Sequence, residues 1–194
     1  LNDNAPVFTS DTSFTLDEGV TDVTTVTTTD ADANATVEYS LSVNDAQSFN
    51  IDNSWVLTFV TAPDFESGKT SYEVTVTAND GANTTDQTIT IAINDLNDEA
   101  PVFTSASSFN IDEGTTSVGT ATTSDADANS TVTYSIRNLN TAVDAKYFSI
   151  NAQTGSINLI AAADFETKTS YFIYVTADDG SNKTNQEVTI FITD

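Results

Sequence analysis

Short oxygen-bearing side chains recur in fixed groups along this chain, and their spacing suits the binding of a hard divalent cation. Glu18 sits in Asp17-Glu18-Gly19, Asp30 and Asp32 stand two apart before Asn34, Asp64 and Glu66 flank Phe65, and Asp80 precedes Gly81. Every group returns in the second half, as Glu113 before Gly114, Asp125 and Asp127 before Asn129, Asp164 with Glu166, and Asp179 before Gly180. Between the halves runs Asn94-Asp95-Leu96-Asn97-Asp98-Glu99-Ala100-Pro101-Val102-Phe103, and a near-copy, Leu1-Asn2-Asp3-Asn4-Ala5-Pro6-Val7-Phe8, opens the chain. Carboxylates two apart on an extended segment point the same way, so Asp64 and Glu66 are expected to converge. Two close carboxylates repel by about 1–4 kcal/mol, depending on the local dielectric. Only 5 Lys+Arg stand against 29 Asp+Glu, too few to neutralise the groups. Calcium suits the need, because it takes about 6–8 oxygen ligands in flexible geometry, main-chain carbonyls included. Magnesium prefers a stricter octahedron, and zinc is a poor fit where His and Cys are both absent.

An EF-hand does not account for these acids. Asp30-x-Asp32-x-Asn34 and Asp125-x-Asp127-x-Asn129 begin like one, but the sixth position is Ala35 or Ser130 instead of Gly. The twelfth is Leu41 or Ile136 instead of Glu, and no segment carries a sustained helical period.

The elements that must position these groups are strands. Apolar residues take every second place in Tyr72-Glu73-Val74-Thr75-Val76-Thr77-Ala78, and in its counterpart from Tyr171 to Ala177. Ile89, Ile91 and Ile93 match Val188, Ile190 and Ile192; Val37, Tyr39 and Leu41 match Val132, Tyr134 and Ile136; Phe49 and Ile51 match Phe148 and Ile150. With Val7-Phe8, Phe14 to Leu16 and Val23 to Thr28, about seven strands arise per repeat, which favours a Greek-key β-sandwich of immunoglobulin-like architecture. The repeats keep one constant offset up to an insertion around 138–146, after which the acids resume their order. The expected domains are residues 1–97 and 98–194, each large enough for its own core. Pro101 disfavours helix at the joint, so the linker should be extended.

The formal net charge of −24 argues against nucleic acid or an anionic membrane surface as partner. A chain 38% hydrophobic is not a disordered acidic tail. No run approaches a membrane span and no signal peptide is present, so the sequence reads as a mature internal fragment with no membrane insertion of its own. Cysteine is absent, so an extracellular domain of this size would need another staple.

Taken together, the early Glu, Asp-x-Asp, Asp-x-Glu, Asp before Gly, and the joint ending in Ala100-Pro101-Val102-Phe103 resemble the extracellular cadherin repeat, over both halves. The resemblance implies three calcium ions at the joint, which turn two tandem sandwiches into a rod that is stiff with calcium and hinged without it. By that likeness Glu18, Asp64, Glu66, Asp95 and Asp98 hold the two ions nearer the first domain, with the Leu96 carbonyl and Asp127 reaching back. The third ion takes Asn97, Asp125, Asp127 and Asp179 by side chain, and Glu99 and Asn129 by carbonyl. Glu99 departs from the usual Asn, a change expected to do little. Partial sites follow at both ends: Asn2, Asp3, Asn4, Asp30, Asp32, Asn34 and Asp80 at one, and Glu113, Asp164, Glu166 and Asp194 at the other.

The function implied is an extender or adhesion module of a larger secreted or cell-surface protein, with neighbouring repeats of its own chain as first partners. A homophilic protein contact or a surface polysaccharide is a further possible partner. Threonine-rich, cysteine-free and acidic, the chain is similar to the cadherin-like repeats of bacterial surface adhesins. Its single Trp, Trp55, is matched by Gly155 and lies far from the start, which gives no support to adhesion by an exchanged N-terminal strand. The alternative is a calcium-dependent carbohydrate-binding module with Trp55, Tyr147, Phe172 and Tyr174 as stacking candidates. Phe172 and Tyr174 are better read as outward residues on a sheet, where cross-strand pairs are common. Catalysis is not expected: the carboxylate pairs recur at every domain end, and no nucleophile–His arrangement exists. The Asn-x-Ser/Thr triplets at Asn34, Asn83, Asn129 and Asn182 read as chance products of composition.

Overall fold

Alternation of apolar and polar residues decides which way each strand faces. The computed structural model describes residues 2–32, 36–137 and 144–194. It divides into two units, Leu1–Leu96 and Asn97–Asp194. Asn34 and most of the insertion around 138–146 lie outside the described residues.

The first unit runs β1 (Val7–Phe8), β2 (Ser13–Asp17), β3 (Asp22–Thr25), β4 (Thr28–Thr29), β5 (Glu38–Ser42), β6 (Phe49–Ile51), β7 (Val56–Phe59), β8 (Ser71–Asn79) and β9 (Thr84–Asn94). A four-stranded sheet has the order β2-β9-β8-β5, a three-stranded sheet the order β3-β7-β6, and β1 pairs with β4. First and last strands run parallel, with Phe14 beside Ile91 and Leu16 beside Ile93, while β8 and β9 are antiparallel. Inward positions of β8 and β9 supply Val74, Val76, Ile89 and Ile91, which meet Leu57, Phe59 and Phe49 of the smaller sheet. Burying each of these side chains contributes about 1.5–3 kcal/mol before chain entropy is subtracted. This is the all-β sandwich expected from the alternation.

The second unit repeats the plan: β10 (Val102–Phe103), β11 (Ser108–Asp112), β12 (Ser117–Thr120), β13 (Thr123–Ser124), β14 (Thr133–Arg137), β15 (Phe148–Ile150), β16 (Ser156–Leu159), β17 (Ser170–Asp178) and β18 (Lys183–Thr193). Its sheets are β11-β18-β17-β14 and β12-β16-β15, with β10 on β13. One core difference lies at the bulge of β12, where Gly119 stands at the register position of Thr24. A Cβ there would collide with the Phe109 ring, so the ring occupies the space that a side chain would need.

Two features depart from the alternation. Strands β7 and β16 were not legible as strands, because each is a four-residue run whose outward positions are themselves half-buried. The stretch from Val23 to Thr28 is broken into β3 and β4, because Val26 turns into the core at 1% exposure. Short 3-10 turns at Ala46–Ser48 and Ala145–Tyr147 are each pinned by an aspartate. Asp45 accepts the Glu73 N–H at 2.9 Å and pairs with Lys69, and Asp144 accepts the Phe172 N–H at 2.9 Å and Lys168 Nζ at 2.6 Å.

Candidate metal centres

At the opening end of the first unit, the chain start is tied down by the acids themselves. Asp32 Oδ2 accepts the N–H groups of Asp3 at 3.0 Å and Asn4 at 2.7 Å, and Asn2 Nδ2 donates to the Asp80 carbonyl at 3.0 Å. Asp80 is 7% exposed, and its Oδ1 accepts the N–H groups of Ala82 and Asn83, each at 2.7 Å. The Asp32 N–H donates to Asp30 Oδ1 at 2.8 Å, which leaves Asp30 Oδ2 buried without a donor. The Asn4 N–H holds the Asp32 carboxyl below its usual range, and the Asn83 and Ala82 N–H groups do the same for Asp80. These carboxylates are therefore anions at neutral pH.

The second unit builds the same cradle. The Asp125, Asp127 and Asp179 carboxylates bring oxygens within 4.8 Å of one another, with Asp127 5% and Asp179 7% exposed. Asn97 Nδ2 donates to the Asp179 carbonyl at 3.2 Å, the Glu99 N–H to Asp127 Oδ2 at 3.2 Å, and the Asp127 N–H to Asp125 Oδ1 at 3.1 Å. Asp179 Oδ1 accepts the N–H groups of Ser181 and Asn182, while Asp179 Oδ2, Asp125 Oδ2 and Asn97 Oδ1 are buried without a donor. Asn129 is exposed, and Asp98 is exposed on the linker.

The closing end of the first unit gathers Glu18, Glu66 and Asp95, again with oxygens within 4.8 Å. Glu18 is 6% exposed and accepts the Phe65 N–H at 2.7 Å and the Leu96 N–H at 2.9 Å. Burial pushes its carboxyl up, but those two N–H groups and a hydrogen bond with Glu66 outweigh it and hold the group below its usual range. Asp64 is not part of this triple. Asp64 Oδ1 accepts the Ser67 N–H at 2.9 Å from an exposed position, in a turn that the second unit repeats with Asp164 and Thr167. In the second unit Asp164 does join Glu113 and Glu166, although Asp164 and Glu166 are exposed. Asp194 ends the chain after β18 and is exposed.

Two asparagines belong to the cradles although their triplets read as chance. Asn83 Nδ2 donates to the Asn4 carbonyl at 3.0 Å, and Asn182 Nδ2 to the Glu99 carbonyl at 3.1 Å. The signal that marks them is the repeat of Asp-Gly-x-Asn, at Asp80-Gly81-Ala82-Asn83 and Asp179-Gly180-Ser181-Asn182.

The donor set fits a calcium-type ion. It is all oxygen, mostly anionic and partly buried, and four of its buried oxygens meet no hydrogen-bond donor among the described residues. The described ion pairs put Lys69 on Asp45, Lys168 on Asp144 and Lys183 on Asp178, and none of them serves the acid groups.

The stacking candidates have other neighbours. Trp55 meets Tyr39 edge-on at 4.9 Å, Tyr147 meets Tyr171 at 5.7 Å, and Phe172 and Tyr174 stand at 90° to each other along β17, with Tyr174 paired across the strands to Glu187.

The family model described as Cadherin domain matches residues 12–94 and again residues 107–193. Protocadherin Fat 4 of Mus musculus is 34% identical over 195 residues, covering 94% of this chain and 4% of that protein. Protocadherin-11 X-linked of Sus scrofa is 35% identical over 212 residues, covering 100% of this chain and 18% of its own length. The chain thus spans a small part of each relative. The crystal structure of human protocadherin-24 EC1-2 matches with a TM-score of 0.82 at 25% identity, covering 100% of this chain and 99% of that one. Two successive matches to one family model, across sandwiches of one topology, mean that the chain belongs to the cadherin family and carries two cadherin domains in tandem.

Proposed function

We propose that these two domains bind calcium at the joint between them and act as extender or adhesion modules of a larger cell-surface or secreted protein. The observation that carries the reading is the set of buried oxygens without a donor on Asn97, Asp125 and Asp179, matched at the opening end of the first unit by one on Asp30. An anionic oxygen kept from water without a donor costs free energy that a bound cation would offset. Glu18, Asp64, Glu66, Asp95, Asp98 and the Leu96 carbonyl hold ions from one side of the linker. Asn97, Asp125, Asp127, Asp179, Glu99 and Asn129 hold them from the other. Calcium supplies fixed positive charge and a demand for many oxygens. The protein supplies carboxylates already oriented by main-chain N–H groups, so little ordering remains when the ion arrives.

Ligands drawn from before, within and after the segment between β9 and β10, residues 95–101, restrict that segment when they share an ion. Binding to the native form alone also stabilises it, by about 2.7 kcal/mol when free calcium is 100 times Kd. The partners are then the preceding and following cadherin repeats of the same polypeptide, outside the cell. A bacterial adhesin as host is supported by composition alone, while the relatives named above come from animals.

Isothermal titration of the chelator-treated chain is the test, paired with small-angle scattering with and without calcium. About three tight sites, weaker ones at the ends and a longer maximum dimension with calcium are expected. No heat of calcium binding overturns the proposal; binding with an unchanged maximum dimension removes the stiffening role alone.

A further inference from the structure

The outward face of the four-stranded sheet differs between the two units in a way the core does not. On β17 and β18 it carries Phe172, Tyr174 and Phe191, and the last is 47% exposed. The matching positions on β8 and β9 are Glu73, Thr75 and Ala92. Other exposed apolar residues, such as Val60 and Ile160 or Val7 and Val102, occur in both units, so they follow from the fold. The aromatic face does not.

Charge separates the same two faces. Outward charges on the sheet of the first unit are Asp17, Glu38, Glu73 and Asp86, all acidic. On the second unit Asp112, Asp178 and Glu187 are set against Arg137 and Lys183, and Lys183 pairs with Asp178 at 2.7 Å. In a chain of net charge −24, this face is close to neutral. A cationic partner would be drawn to the acidic faces, whereas another strongly acidic molecule meets least repulsion here.

Register then selects both the partner and its orientation. Arg137 lies beside Tyr174 and Tyr174 beside Glu187, so one row across three strands reads positive, aromatic, negative. Tyr174 donates its hydroxyl to Glu187 Oε1 at 2.5 Å, which fixes the ring in the middle of the row. A two-fold axis parallel to β17 would lay the aromatic column on its own copy and set each Arg137 over the other copy's Glu187. An axis across the strands would set Arg137 over Arg137.

We propose that this face joins two copies of the chain side by side, in parallel, about a two-fold axis along β17. The contact would be isologous, with aromatic side chains at its centre and exchanged charges at its edges. It rests on a different surface from the calcium cradles, so it is tested with calcium held constant.

The experiment is sedimentation equilibrium of the whole chain over a concentration series in calcium and about 0.15 M salt, where charges beyond about 8 Å are screened. A reversible dimer is expected. The double variant Phe172→Glu with Phe191→Ala should weaken it by about tenfold or more. Both replacements stand at the matching positions of the first unit, so folding is not at stake, and circular dichroism checks this. Arg137→Glu should weaken the dimer, and adding Glu187→Arg should restore it. A monomer at every concentration overturns the proposal, as does a dimer indifferent to the aromatic variant. A dimer that the paired charge reversal fails to restore overturns the parallel two-fold.

Discussion

Leu96 donates its main-chain N–H to Glu18 Oε1 at 2.9 Å, so the residue that closes the first unit is latched to a carboxylate 78 positions earlier in sequence. The other Glu18 oxygen takes the Phe65 N–H, next to Glu66. One buried carboxylate thus orders two backbone segments and still belongs to the triple with Glu66 and Asp95. On the calcium reading proposed above, a group placed this way has two separable jobs, one in the calcium-free fold and one with metal.

Replacing Glu18 by Ala should therefore cost stability even under chelator. Hydrogen bonds to charged groups contribute about 1.5–3 kcal/mol, so a loss of that order is expected from urea unfolding in EDTA. Calcium titration should in addition lose the ions assigned to that end. Glu18→Gln keeps an oxygen acceptor for one N–H, so it should recover part of the stability but little of the calcium binding. If both variants unfold like the parent in EDTA, the latch has no structural role.

Asn83→Ala and Asn182→Ala should weaken calcium binding without changing the unfolding midpoint in EDTA by much. Their amides hold the Asn4 and Glu99 carbonyls from half-buried positions outside the apolar core, so the core does not feel their loss. Asn129→Ala is the internal control, since its side chain is exposed and its proposed contribution is a carbonyl. Equal calcium affinities for Asn182→Ala and Asn129→Ala would refute a role for the amide.

The two asparagines also show where sequence stops being informative. Repeated acids were legible because carboxylates that recur in order, with few cations to balance them, have few physical explanations. Asparagine is common in this chain, so the repeated Asp-Gly-x-Asn marks Asn83 and Asn182, but only the hydrogen bonds to Asn4 and Glu99 show what they do. Strands β8 and β9 were legible from alternation over many residues, whereas β7 offered only four. The convergence of Asp64 on Glu66 was argued from an extended segment, whereas both units carry a turn here, and in the second Asp164 and Glu166 still lie together with Glu113.

Acid should release the staple at Asp45. The bond from Lys69, then the Glu73 N–H, holds this carboxyl below its usual range, against the opposing effect of burial. A carboxyl depressed in the folded state stabilises it fully above its unfolded value of about 3.9. That contribution is lost as pH falls through the lower folded value. Urea midpoints measured from neutral pH down to strong acid should fall more steeply for the parent than for Asp45→Asn. Parallel curves would show that the ion pair gives no pH-dependent stability.

Trp55 occupies a left-handed backbone conformation, with φ of 64°, at the place where the second unit has Gly155 with φ of 68°. The two carbonyls do the same work, accepting the N–H of Val26 and of Ala121, each at 2.9 Å. A non-glycine residue in that region is strained by about 1–2 kcal/mol. The ring must offset this through its edge-on packing against Tyr39. Trp55→Ala keeps the strain and loses the packing, whereas Trp55→Gly loses both. The glycine variant should thus be the more stable of the two by about 1 kcal/mol in urea unfolding. Gly155→Ala should be worse than either, because its Cβ would run into the Ala121 carbonyl as well as into the backbone restriction. Equal midpoints for Trp55→Ala and Trp55→Gly would mean that the left-handed turn at Trp55 carries no strain for the ring to offset.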